Sequence, residues 1–341
     1  MKRKVYEKMK ALVYRKKGEI EWAEVANPEI INPTDIIVKV EGFTFSHADY
    51  RPYLGEDDSV KANTIMGHEA VGVISAVGNA VTTLKIGDRV AVGCIIHCNN
   101  CSDCASQNYA NCQNGGFILG TSENGTHAEY VRVPYGENSV IKIPTNLALE
   151  DVVMLSDVLP TAYENVIKKV DFTKVKTAAI IGDGPIGLST FLFLINNKVK
   201  VDIYGHHQVK LDFFKANGAY ETFTTIDETN QKKYDLVVEC VGNDRGTFEA
   251  AQQLLGFNGM LITIGVFKNP VKFFLNELWY QNITIHTGIL NVYTLPELLA
   301  KIESQEIAPH KIVSQVYGKD DVLTAYHAFK NKDLFKIVVK L

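Results

Sequence analysis

Between residues 176 and 197 an apolar run, KTAAII, passes directly into the turn GDGPIG and then into the helix-like stretch LSTFLFLINN. A strand, a glycine turn and a helix in that order restrict the chain sharply, because the next strand must return through a right-handed crossover. The later runs KVDIYG, YDLVVECVG and GMLITIGV repeat the buried-strand pattern at intervals of roughly 20 to 35 residues, with helix-like segments such as QVKLDFFKANG among them. Strands alternating with helices predict an α/β unit, a doubly wound parallel sheet.

Within the turn, Gly182, Gly184 and Gly187, with Pro185 and Ile186 between them, supply what a dinucleotide pyrophosphate requires. Glycine permits the tight bend, the close approach of phosphate to backbone and the packing of helix on strand, and the helix start offers oriented N–H donors. A lone pattern of this kind is weak, and its strand-and-helix setting carries the reading against a merely structural turn. Val241, Gly242, Gly265 and Val266, at the ends of later strands, are counted with the same site. The second strand should end at the adenosine ribose, where an acidic side chain usually receives the 2′-hydroxyl of NAD. Here the chain offers Gly205, His206, His207 and then Lys210, while Asp202 lies too early, inside the strand. With no carboxylate to repel a 2′-phosphate and three donors to receive one, NADP(H) is favoured over NAD(H). The plain alternative is a solvated polar loop without preference, since imidazole is only partly charged at neutral pH.

The first half reads differently. From residue 11 to about 150 the runs DIIVKVEGF, HEAVGVISAVG, GDRVAVG and AEYVRVP, broken by Gly, Pro, Asn and Asp, predict a β-rich unit, a small barrel. From about residue 294 two helices and a terminal strand, KIVVKL, are expected to return to it. A length of 341 residues suits two domains. A net charge of −4 excludes the basic footprint that nucleic acid or an anionic membrane would need, which leaves small molecules as partners. The basic run MKRKVYEKMK has no apolar stretch after it and does not read as a secretory signal; Met9 looks like a second beginning. No apolar run approaches the roughly 18 residues of a membrane span. A cytoplasmic protein is expected.

Cys98, Cys101, Cys104 and Cys112 follow the spacing C-x2-C-x2-C-x7-C. A disulfide framework would serve a small secreted domain without a core, so metal is the better reading. Four thiolates suit a closed tetrahedron around zinc. An iron–sulfur cluster is the rival, but the bacterial ferredoxin run ends in C-x3-C-P. A closed site leaves no open corner for a substrate, so this zinc is structural and the chemistry must lie elsewhere. Cys94 and His97 are surplus to four ligands.

GHEAVGVISAVG, the cysteine lobe, GDGPIG and VVECVG, in this order, resemble the zinc-dependent medium-chain alcohol dehydrogenase family, and most nearly its bacterial secondary alcohol dehydrogenases. The likeness runs from Met9 over nearly the whole chain. It implies a GroES-like catalytic domain over residues 1–157 and 294–341, split around a Rossmann domain over 158–293, with the active site in the cleft between them. It implies a catalytic zinc on His68, Glu69 and, in the subgroup that uses aspartate, Asp157 of LSDVLPTAYENV. The family's first ligand is a Cys, where this chain has Thr44, a poor zinc ligand.

Three readings follow from that departure. Zinc is held by His68, Glu69 and Asp157, with water or His47 completing the shell; or it binds weakly and transiently; or the site is metal-free, as in the quinone reductase branch. By resemblance Ser46 is the relay hydroxyl for the substrate proton, with His47 and Asp49 in exchanged positions of the outer relay. Phe43, Phe45, Tyr50, Tyr53 and Trp279 are candidates to line a pocket, although aromatic rings more often belong to the core, and His127 reads as a turn residue. The expected activity is hydride transfer between NADP(H) and a small secondary alcohol or ketone, or a polyol. A metal-free NADPH quinone or carbonyl reductase and a non-catalytic NADP(H)-binding protein are the alternatives. NITIHTG resembles the family's intersubunit edge strand, which implies a homodimer or homotetramer.

Overall fold

A computed structural model describes residues 8–226, 232–242 and 246–341; most of the basic N-terminal run, residues 1–7, lies outside it. Backbone contacts divide the chain into two units, residues 1–157 with 291–341, and residues 158–290. The first unit contains strands β1 (Lys8–Lys16), β2 (Glu19–Ala26), β3 (Ile36–Thr44), β4 (Ala70–Val77), β5 (Arg89–Val92), β6 (Tyr130–Val133) and β7 (Val140–Lys142). The second contains β8 (Thr177–Ile181), β9 (Lys200–Tyr204), β10 (Glu221–Phe223), β11 (Tyr234–Glu239), β12 (Leu255–Thr263) and β13 (Thr284–Thr287). The chain then returns to the first unit for β14 (Val313–Gly318) and β15 (Lys336–Lys340).

In the first unit one sheet runs β14-β15-β3-β4-β5-β7, and β6 also pairs with β3. Strand β3 is therefore flanked on every side, which is why its sequence IIVKVEGFT is almost continuously buried rather than alternating. The register sets Thr44 opposite Val338 of β15 and Phe43 opposite Ala70 of β4, so the end of β3 lies between the start of β4 and the start of β15. Phe43, Phe45 and Tyr50 belong to the core with Tyr326 and Phe329, and Trp279 is 70% exposed in the other unit. Phe43, Phe45 and Tyr50 thus take the core role that aromatic rings more often have, and burying each stabilises the core by about 1.5–3 kcal/mol.

The second unit is a six-stranded sheet in the order β10-β9-β8-β11-β12-β13, parallel throughout. The order reverses between β8 and β11, the switch point at which open α/β sheets bind ligands beyond the strands' carboxyl ends. Helix Pro185–Asn196 follows β8 with Gly184 as its N-cap and proline in its first turn. Among the described residues no helix is long and apolar enough to cross a membrane.

Two strands missed by the sequence reading, β10 and β14, sit at sheet edges, and the internal strand β12 starts earlier than its apolar run. β14 carries the burial pattern of a half-solvated strand, with Ser314, Gln315 and Val316 exposed, so it shows too little apolar periodicity to be read as one. β12 begins at Leu255, ahead of the GMLITIGV run, after a register shift between Tyr234 and Leu236 on its partner strand.

Candidate functional site

In the cysteine lobe the four sulfurs of Cys98, Cys101, Cys104 and Cys112 lie within 4.8 Å of one another. Cys98 and Cys104 sulfurs are 3.9 Å apart, and those of Cys101 and Cys112 are 4.0 Å apart. Thiolates at about 2.3 Å from a tetrahedral zinc sit about 3.8 Å from each other, whereas a disulfide needs about 2.05 Å. Burial opposes ionisation of Cys98, but N–H donors from Asn114 and Asn100 outweigh it and bring its thiol down to about 6. Cys94 and His97 stand outside this group; the His97 ring stacks on Tyr109 at 3.9 Å.

The glycine turn after β8 has the cradle geometry. Gly182 has φ of 120°, and a Cβ there would meet Val241 at 3.0 Å. A Cβ on Gly187 would lie 2.1 Å from the Gly182 carbonyl oxygen, so the helix can approach the strand only through glycine. At Gly184 a Cβ would meet nothing within 4 Å, which leaves the turn open on the side where a phosphate must approach. Gly242 and Gly265 abut, and the buried Glu239 carboxylate accepts from the Val241 and Gly242 N–H groups and from the Thr247 and Thr263 hydroxyls. Val266 is exposed beside them.

The third group is built from strand ends in the first unit. His68 and Glu69 immediately precede β4, and their fully buried side chains meet Asp157. Asp157 follows Ser156, whose hydroxyl donates to the Ala70 carbonyl and whose own carbonyl accepts from the Cys94 N–H. One ligand atom from each of His68, Glu69 and Asp157 falls within 4.8 Å of the others. His68 Nε2 is buried with no hydrogen-bond partner among the described residues, and faces Glu69 Oε1 and Asp157 Oδ2 at 3.5 Å each. Its other nitrogen, Nδ1, is 3.0 Å from Asp49 Oδ1.

Electrostatics explain what this group lacks. Burial lowers the basicity of His68, but Asp49, Asp157 and Glu69 around it win and hold its pKa well above the usual imidazole range. Burial acts against Asp49 also, yet His68 and His127 bring its carboxyl down to about 2. Both Glu69 oxygens accept from Lys336 Nζ, at 2.6 and 2.9 Å, and the same ammonium donates to the Phe45 carbonyl. Burial nevertheless keeps the Glu69 pKa raised. With His68 protonated, Asp49, Glu69 and Asp157 against two cations leave one uncompensated negative charge, and a cation that displaces the Nε2 proton would take its place between Glu69 and Asp157. A buried set of that charge, with an orphaned imidazole nitrogen at its centre, fits a divalent cation.

Two family models match the chain: an alcohol dehydrogenase GroES-like domain over residues 32–145 and a zinc-binding dehydrogenase domain over residues 185–304. The solved structure of zinc dependent alcohol dehydrogenase 2 from Streptococcus pneumonia is similar with a TM-score of 0.89 at 32% identity, covering 97% of this chain and 98% of that one. The chain belongs to the zinc-type medium-chain alcohol dehydrogenase family. Alcohol dehydrogenase TADH from Thermus sp. ATN1 is similar with a TM-score of 0.89 at 28% identity, over 97% of this chain and 99% of the other. An alcohol dehydrogenase of Cupriavidus necator is 28% identical, covering 97% of this chain and 98% of the relative. This alcohol dehydrogenase is an NAD(P)-dependent oxidoreductase with a GroES-like and a Rossmann unit.

Several of its side chains stand where the sequence reading did not put them. Asp49 is buried beneath His68 rather than in an outer relay, because it closes a capping box with Ser46 at the head of helix His47–Leu54 and so turns its second oxygen inward. Ser46 is the N-cap, accepting from the Ala48 N–H. His47 is exposed, with Nε2 3.0 Å from Lys332 Nζ and its ring against Phe329, and it does not complete the ligand group. Thr44 is fully buried, and its hydroxyl has no hydrogen-bond partner among the described residues. The donors assigned to a 2′-phosphate are not gathered: His206 Nδ1 is engaged by the Thr224 carbonyl, His207 Nδ1 by Asp183, and Lys210 is buried.

Two residues were missed. Lys336 stands in the terminal KIVVKL run, where a lysine at a strand's head reads as solvated. His127 is wholly buried, with Nε2 3.2 Å from the Thr44 carbonyl oxygen; burial pushes its pKa down to about 4, so it is neutral. Gly67, at φ of 98°, makes room for it: a Cβ there would lie 2.2 Å from the His127 ring. The glycine of GHE and a histidine before a strand are the only signals the sequence gives of that contact.

Proposed function

We propose that this chain transfers hydride between a nicotinamide dinucleotide and a small alcohol or carbonyl compound, with a zinc ion held by His68, Glu69 and Asp157. The observation that carries the reading is the buried His68 Nε2, unpartnered among the described residues and facing two carboxylates. Zinc bound there supplies Lewis acidity toward an alcohol or carbonyl oxygen and leaves a fourth position for it. Asp49 fixes the imidazole by holding Nδ1, which leaves Nε2 as the ligand atom. Lys336 orients Glu69 and offsets its charge. Asp157, with an 18% exposed side chain, is the member of the set nearest solvent. The Ser46 hydroxyl accepts from the Ala48 N–H and so keeps its own proton for donation; we assign it the proton-holding role at Oγ.

The proposed substrate class is a small secondary alcohol or ketone, since Asp157 and Gly205 both resemble the secondary alcohol dehydrogenase pattern; a polyol is the next candidate. The lobe of four cysteines holds a second, structural zinc. An edge strand, β13, pairs only with β12 among the described residues, and near it in sequence Trp279, Tyr280 and Ile285 are exposed, which supports a homo-oligomer formed along that edge. The six cysteines are free of disulfides, which suits a reducing compartment such as the cytoplasm.

One observation favours a second reading. Both Glu69 oxygens already engage Lys336, and Thr44 offers no thiolate, so a metal-free reductase that keeps only the structural zinc must be tested. The experiment is a ketone, aldehyde and quinone panel with NADH and NADPH, run on the wild type and on His68→Ala. The zinc reading expects carbonyl reduction to fall by about 10²–10³-fold in the variant while the lobe keeps its metal. Undiminished reduction would support the metal-free reading, and dinucleotide binding without turnover of anything in the panel a non-catalytic one.

A further inference from the structure

The geometry points to Asp183, the second residue of the glycine turn, as the group that selects NAD(H) against NADP(H). The inference rests on the dinucleotide reading above and deepens it at the adenosine end.

Strand β9 ends at Tyr204, and in an open α/β sheet the residue after this second strand meets the adenosine ribose. An acidic side chain there would discriminate, but position 205 is glycine. The structure fills the vacancy from another loop. A Cβ on Gly205 would lie 2.5 Å from Asp183 Oδ2, so the carboxylate rests directly against the turn. It accepts from the His206 N–H at 2.7 Å, from the His207 N–H at 2.9 Å, and from His207 Nδ1 at 2.9 Å. Glycine at 205 is thus explained without any 2′-phosphate: any side chain would collide with Asp183.

The consequence for a ligand follows from charge and donor supply. A 2′-phosphate seeks positive charge and N–H groups, and here both backbone donors and the His207 ring are committed to an internal anion. Although burial acts against it, the donors from His207 and His206 keep the Asp183 carboxyl below its usual range, so the anion is present at neutral pH. A second anion at this turn meets like charge in a partly desolvated site. A ribose hydroxyl, by contrast, can donate to a carboxylate oxygen, which has about four acceptor sites in all. The absence of an acidic residue at the strand's end, which favoured NADP(H), therefore loses its force: the acid comes from the preceding loop.

The test is calorimetric titration of the full chain with NADH and with NADPH, for the wild type and for Asp183→Asn, which keeps the side chain's size and an acceptor oxygen. The wild type should hold NADH at least about tenfold more tightly, and the variant should narrow that ratio by about tenfold or more, chiefly through tighter NADPH. Asp183→Ser repeats the measurement should circular dichroism show the asparagine variant misfolded. A wild type that prefers NADPH, or variants that weaken both dinucleotides by one factor with the ratio unchanged, would overturn the inference and leave Asp183 a structural cap. Binding of neither dinucleotide by the wild type would instead remove the dinucleotide reading, and this inference with it.

Discussion

The two groups of side chains that could hold a metal ion are made in opposite ways. The cysteine lobe draws all its ligands from residues 98–112, one chemical type, with backbone and amide N–H groups aimed at the sulfurs. The other group takes His68 and Glu69 from one strand's approach and Asp157 from a turn between two short helices distant in sequence, and depends on Asp49, His127 and Lys336 behind them. A cluster of four thiolates satisfies itself and closes; a mixed set of one imidazole and two carboxylates is satisfied only by the surrounding protein and stays open at one corner. The first is suited to holding a loop together, and the second to chemistry.

The difference can be broken at either end. Cys104→Ser should have the largest effect, removing the lobe's zinc and lowering Tm by at least about 10 °C, as differential scanning calorimetry would show. An unchanged Tm would mean that the lobe folds without metal. Lys336→Met comes next. It leaves Glu69 with a buried, unpaired charge, and should cost about 3–5 kcal/mol in guanidinium unfolding while the lobe keeps its zinc. A loss under about 1 kcal/mol would show that Glu69 already has another cation to lean on. Thr44→Cys sharpens the comparison by giving the open site a thiolate at the family's first ligand position. It should tighten zinc at that site by about tenfold or more in a competition titration with a chromophoric chelator. No change would mean that the side chain at 44 does not reach the cation.

The same contrast explains what could be read from sequence. The lobe was legible because its ligands are contiguous and their spacing alone defines them. The parallel sheet was legible because KTAAII, KVDIYG, YDLVVECVG and GMLITIGV carry buried-strand composition on their own, and β8, β9, β11 and β12 form there. His68, Glu69 and Asp157 were nominated through family resemblance rather than through spacing, since nothing local ties residue 157 to residue 68. Lys336 and Asp183 were out of reach for the same reason. Lys336 becomes a partner of Glu69 only because β15 pairs with β3, and Asp183 meets Gly205 only because β8 and β9 are neighbours in the sheet. The contact of Asp49 with His68 could not be read either, because the family resemblance gives its position in the chain and a helix cap decides where its second oxygen points. The edge strand β14 escaped because solvated strands lack the apolar alternation on which the reading depends.

The central claim is that one chain holds two zinc ions of unequal accessibility. Elemental analysis of the purified protein before and after dialysis against a chelator tests it directly. Two zinc ions per chain, falling to one as carbonyl reduction disappears and returning with added zinc, is the predicted result. A single zinc throughout, with reduction undiminished after dialysis, would contradict it.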